Sequence, residues 1–131
     1  MSEAHPMTAQ DEQGSRILLV EDDEFVRQTI LWTLEEEGID TAVAADGLSA
    51  ISHLETSRPT LMLLDIGLPG VDGFGVADRL RTLYGSEVPV VVLTADGRAA
   101  EKARRVGAVA YLHKPFEIGD LIRVVRSHLD Q

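Results

Sequence analysis

The chain has 131 residues, 44% of them hydrophobic and 26% charged, the composition of one globular domain built round a single core. It contains no cysteine, which excludes disulfides, thiolate metal sites and cysteine nucleophiles. With 22 acidic against 12 basic residues the formal charge is −10, and no apolar run approaches the roughly 18 residues of a membrane span, so neither direct nucleic-acid binding nor a membrane segment is expected, and the expected location is cytoplasmic.

Residues 1–15 are polar and carry Pro6 and Gly14, and they read as a flexible N-terminal tail ahead of a domain over 16–131. The first strand is predicted at about 16–21, where Ile17-Leu18-Leu19-Val20 runs into Glu21-Asp22-Asp23. Val26, Ile30 and Leu34, at i, i+4 and i+8, predict the first helix, and Gly38 sits where a left-handed helix end belongs. Trp32 lies off that stripe and is expected to be partly buried; Glu35-Glu36-Glu37 reads as an exposed helix end, although acids there oppose the helix dipole. A second apolar run at 40–45 leads to a helix marked by Ile51 and Leu54. A third, at 60–65, takes Leu61-Met62-Leu63-Leu64 into Asp65 and a loop expected at Gly67, Pro69 and Gly70, followed by a helix through Ala77, Leu80 and Tyr84.

The fourth run, 88–94, ends in Thr94, and its helix carries Ala99, Ala103 and Val106 before Gly107. The fifth, 109–113, passes through Tyr111 to Lys114-Pro115. Ile118, Leu121, Ile122, Val125 and Leu129 form the apolar stripe of the last helix, with Asp120, Arg123 and Arg126 turned away. His5, His53 and His128 have no metal-ligand spacing and read as solvated; His113 falls on the strand face opposite to its neighbour Lys114.

Strand followed by helix, five times over, implies an α/β fold: a five-stranded parallel sheet covered by helices on both faces. The expected order is 2-1-3-4-5, the flavodoxin-like (βα)5 arrangement, whose switch point lies between strands one and three. Those two strands end in acids. Topology alone therefore puts a ligand where the carboxylates are.

Asp22, Asp23 and Asp65 taken together pose an electrostatic problem. Two carboxylates about 4 Å apart repel by about 4 kcal/mol at an effective dielectric near 20, and a third adds to it. A hard cation resolves this, and carboxylate oxygens with a backbone carbonyl and retained waters suit Mg²⁺. The competing use is as helix caps, for which Asp22 or Asp23 is well placed. Thr94 and Lys114 end the two strands beyond the third, so a hydroxyl and an ammonium can reach the same edge and supply donors to a phosphoryl group.

At this point the motifs resemble a known family. Ile17–Asp23, Asp65–Phe74, Thr94-Ala95 and Lys114-Pro115-Phe116 look like the receiver domain of two-component response regulators, of the chemotaxis type, across about residues 16–130. The resemblance implies that Asp65 is the phosphoacceptor, taking a phosphoryl group from a sensor histidine kinase or a histidine phosphotransfer protein. It implies that Asp23, Asp65 and the Gly67 carbonyl bind Mg²⁺ directly, with Asp22 acting through water. Lys114 would pair with the phosphoryl group, Thr94 would move to hydrogen-bond it, and Tyr111 would rotate inward, with a cis peptide at Lys114-Pro115. The fourth helix, fifth strand and fifth helix, where Arg98, Lys102, Arg105 and Arg123 lie, would then signal to a downstream partner.

Such a protein catalyses only its own phosphorylation and dephosphorylation, as a monomer or a phosphorylation-dependent dimer, free-standing or as the N-terminal part of a longer regulator. Gly67 leaves the approach to Asp65 open and Asp96 is placed to position a water, so self-dephosphorylation is expected to be facile. Two other readings are a phosphorylation-independent interaction module and an Asp-nucleophile, Mg²⁺-dependent phosphatase. The phosphatase needs a second acid two positions after the nucleophile, where this chain has Gly67.

Overall fold

The computed structural model describes residues 16–67 and 72–129; residues 1–15, where a tail is expected, and residues 68–71 and 130–131 lie outside it. Strands β1 (Ile17–Val20), β2 (Thr41–Ala44), β3 (Leu61–Asp65), β4 (Val90–Thr94) and β5 (Ala110–His113) alternate with five helices. The helices are α1 (Glu24–Glu36), α2 (Gly47–Thr56), α3 (Gly73–Tyr84), α4 (Ala99–Val106) and α5 (Ile118–Leu129). All strand pairs are parallel and the order is β2-β1-β3-β4-β5, the flavodoxin-like arrangement expected.

The aliphatic runs explain which strands are central. Every residue of β1, β3 and β4 is buried, as strands covered on both faces require, whereas β2 and β5 at the edges are only partly covered. Alternation then sorts the side chains. Leu18, Val20, Met62, Leu64, Val90 and Val92 pack with α2, α3 and α4; Ile17, Leu19, Leu61, Leu63, Val91 and Leu93 pack with α1 and α5. One further step of the same alternation sends Glu21 and Asp65 to the α1/α5 side, in neighbouring strands whose register pairs Val20 with Leu64.

Helix ends follow local chemistry. The carboxylates of Asp23, Asp46 and Asp72 accept from the backbone N–H groups of Val26, Ser49 and Gly75, capping α1, α2 and α3. At α4 the N-cap is Arg98, which offers no side-chain bond. Gly107 ends α4 at φ +68°, the left-handed conformation expected of it. Gly73 is required by contact: a Cβ there would stand 2.6 Å from the Ile66 Cα and 3.0 Å from the Asp65 carbonyl oxygen, so only glycine lets α3 press against the end of β3.

Two packing expectations are corrected. Trp32 is 69% exposed, not partly buried, because Ile30 and Leu34 face the sheet and Trp32 lies about 200° round the helix from Ile30. Ile118 is 40% exposed; the buried stripe of α5 is Leu121, Val125 and Leu129, with Ile122 half-buried. The acidic end of α1 has no base of its own, and Arg126 of α5 supplies one, donating to the Glu37 carbonyl and to its Oε1, each at 3.0 Å.

Candidate functional site

The carboxyl ends of β1 and β3 bring charge into a buried place. Glu21 is fully buried and Asp65 is 6% exposed. Lys114, from the end of β5, reaches between them: its Nζ is 2.7 Å from Glu21 Oε1 and 3.3 Å from Asp65 Oδ2. Asp65 Oδ1 accepts the Gly67 N–H at 2.9 Å, and Glu21 Oε2 accepts the Asp23 N–H at 3.1 Å. Arg27 fixes the turn from β1 into α1, donating to the carbonyls of Glu21 and Asp22 at 3.1 and 3.3 Å. Carboxylate oxygens of Glu21, Asp22 and Asp65 lie within 4.8 Å of one another.

Electrostatics show what this cluster lacks. Burial, opposed by the Lys114 contact and reinforced by the Asp65 charge, pushes the Glu21 carboxyl up to about 7. Burial and then Asp65 also raise the Asp22 carboxyl. Burial alone would lower the Lys114 ammonium, but the contact with Glu21 and the Asp65 and Glu21 charges outweigh it and raise it. Lysine is therefore firmly charged, and one cation does not satisfy three acids. Glu21 Oε1 is buried and meets only the Lys114 ammonium, which it shares with Asp65. All the donors are oxygens, so the set fits a hard divalent cation.

Asp23 does not join this group. Its Oδ1 takes the Val26 N–H at 2.9 Å, the cap role that competed for it, and its carboxylate is outside the cluster. Glu21 takes the vacant place. The register carries the signal for it: Glu21 is the first acid past the β1 apolar run, as Asp65 is past that of β3.

Thr94 ends β4, one residue beyond the Leu93 that pairs with Asp65, and it is 3% exposed. Its Oγ1 accepts the Asp96 N–H at 3.0 Å, and its carbonyl accepts the Lys114 N–H at 2.8 Å. The Lys114-Pro115 peptide is cis. Tyr111 on β5 is 44% exposed, and His113 is exposed. A Cβ on Gly67 would lie 3.7 Å from Asp65 Oδ1, so any side chain at 67 would stand beside that carboxylate. The Asp96 carboxylate is already engaged: Oδ1 accepts the Arg98 N–H at 2.7 Å and Oδ2 meets Lys102 Nζ at 2.8 Å.

The chain is similar to known proteins. Residues 17–126 match the model of the response regulator receiver domain. The DNA-binding response regulator MtrA of Mycobacterium tuberculosis is 39% identical over 121 residues, 91% of this chain and 52% of that protein, so the chain spans about half the length of such curated relatives. The receiver domain of a sensor histidine kinase from Pseudomonas aeruginosa, solved with a magnesium ion coordinated in its active-site cleft, superposes with a TM-score of 0.81 at 32% identity, covering 90% of this chain and 99% of that one. A chemotaxis protein of Vibrio cholerae superposes at 0.78 with 26% identity, covering 88% and 98%.

Proposed function

The chain belongs to the response regulator receiver domain family, and on that premise we propose that Asp65 is a phosphoacceptor whose esterification switches the α4/β5/α5 face. The observation that carries this reading is the near-buried Asp65 carboxylate set between the Lys114 ammonium and the acids Glu21 and Asp22. A carboxylate oxygen of Asp65 attacks the phosphorus of a phosphohistidine on a sensor kinase or phosphotransfer protein. The O–P bond forms as the N–P bond breaks, and the electron pair leaves on the imidazole. Lys114 neutralises charge on the transferred group, and the Thr94 hydroxyl donates to one of its oxygens. The protein is a signalling domain, and its own phosphorylation and dephosphorylation are the only reactions it catalyses.

Asp22, Asp65 and the Gly67 carbonyl would hold Mg²⁺, with Glu21 behind them and Asp23 left to its helix. When bound, the ion neutralises the acids and the charge developing on the phosphoryl oxygens. The magnesium in the Pseudomonas aeruginosa receiver supports this choice of metal. An apolar groove of about 380 Å³ lined by Phe25, Ile30, Pro115 and Phe116, with Lys114 at its edge, is where the histidine-bearing partner would seat.

The 39% identity to MtrA, against 26% to the chemotaxis protein, supports reading the chain as a receiver of the kind found in DNA-binding regulators rather than of the chemotaxis type. DNA contact would belong to the part of such a protein that this segment does not match, since a formal charge of −10 repels a phosphate backbone. No described helix is long and apolar enough to cross a membrane, and action in the cytoplasm fits a kinase partner there. The test is incubation with Mg²⁺ and a small acyl phosphate, followed by intact mass. One phosphoryl adduct, lost in Asp65→Asn, is expected; no adduct would leave an interaction module.

A further inference from the structure

We propose that Lys102 is a positioning residue: through the Asp96 carboxylate it holds the Thr94 hydroxyl ready to donate to the phosphoryl group, and the same link carries the phosphorylated state to α4. This rests on the reading of Asp65 and Thr94 given above. A hydroxyl has one hydrogen and two acceptor sites. Thr94 Oγ1 spends an acceptor site on the Asp96 N–H at 3.0 Å, which leaves its hydrogen free to be given away. Where that N–H sits depends on Asp96, and Asp96 is held by its own carboxylate, through the Arg98 N–H at 2.7 Å and Lys102 Nζ at 2.8 Å. Lys102 stands in the first turn of α4, with its backbone N–H on the Arg98 carbonyl at 3.0 Å.

The two ends of α4 are held differently. At the C-terminal end, Arg105 stacks over the Phe74 ring at 4.2 Å, and Arg81 of α3 donates to the carbonyls of Val106 and Gly107. At the N-terminal end, Arg98 provides no side-chain cap, and the Asp96 carboxylate binds both the Arg98 N–H and Lys102. One end is clamped to α3 and the other is tied to the loop that carries Thr94. Movement of Thr94 toward Asp65 draws on the Asp96 N–H, and Asp96 draws on Lys102, so α4 pivots about its C-terminal end.

The test compares Lys102→Met, Lys102→Arg and Asp96→Asn with the parent chain, each given Mg²⁺ and a small acyl phosphate. Asp96→Asn keeps an oxygen for the Arg98 N–H while removing the charge that holds Lys102. Adduct formation is followed by intact mass, and amide exchange over 99–106 is compared with and without adduct. Lys102→Met and Asp96→Asn should slow adduct formation by up to about fivefold, the scale of a partly exposed ion pair, and should lose the exchange response of α4. Lys102→Arg should restore both. Raising salt to about 1 M should slow the parent more than Lys102→Met and so narrow the gap between them, because the pair is 25% and 43% exposed and open to screening. A Lys102→Met protein with the parent's rate and the parent's α4 response would overturn the inference alone. No adduct on the parent would overturn the reading of Asp65 and this inference with it.

Discussion

The two flanks of the site are built differently. On the β1/β3 side, every strand residue is buried, α1 opens on an aspartate cap, and Glu21, Asp65 and Lys114 are locked in short contacts. On the β4/β5 side, β4 is as fully buried, but the edge strand β5 is exposed at Tyr111 and His113, and α4 has eight residues with no side-chain cap of its own. Val109 and Tyr111 are 49% and 44% exposed there. One flank holds the Asp65 carboxylate in place, and the other is more lightly held. A switch needs both, since a rigid site on a loose element transmits a local charge change as movement.

The largest expected effect is the loss of the reaction itself: Asp65→Asn should abolish the phosphoryl adduct while the protein stays folded, checked by intact mass and circular dichroism. Next, Leu63→Ala in the fully buried β3 should cost about 3 kcal/mol in denaturant unfolding, by lost burial and the cavity left behind. A comparable loss from Val109→Ala would erase the contrast between flanks, because a surface truncation there should stay within about 0.5 kcal/mol.

The pH response sharpens the same contrast. The Glu21 carboxyl is pushed up to about 7 from an ordinary 4.5, so between those values the metal-free folded protein binds more protons than the unfolded chain. Its stability should therefore fall as pH rises through that window, by up to about 3 kcal/mol at roughly 1.4 kcal/mol per unit, and Glu21→Gln should flatten the slope. Asp22 is shifted in the same direction and adds to it. Saturating Mg²⁺ should abolish the fall, because a bound cation favours the ionised acids. Smaller still, Asp23→Ala should cost about 1 kcal/mol of stability as a lost helix cap and leave Mg²⁺ affinity nearly unchanged, whereas Asp22→Ala should abolish Mg²⁺ binding. A large loss of Mg²⁺ affinity in Asp23→Ala would return that residue to the metal.

The fold was legible because short apolar runs bounded by polar or glycine residues alternate with longer segments whose apolar residues recur at helical spacing. Of the expected carboxylates the structure brings Asp22 and Asp65 together and leaves Asp23 aside. Aspartate is both a good cap and a good ligand, so type alone could not divide Asp22 from Asp23; counting from the end of β1 in register with β3 does, and it also selects Glu21. Trp32 misled because bulk and apolarity suggest burial, while its angle from Ile30 and Leu34 turns it to solvent. The Asp96–Lys102 link could not be read at all, since it joins a loop to a helix six residues on and leaves no periodic trace.

The account's central claim is that Asp65 carries the phosphoryl group. Its most direct measurement is reduction of the phosphorylated protein with borohydride, which converts an aspartyl phosphate to homoserine, followed by peptide mass mapping. The prediction is homoserine at position 65 and nowhere else. Conversion at Asp22, Asp23 or Glu21, or an adduct that survives in Asp65→Asn, would contradict it.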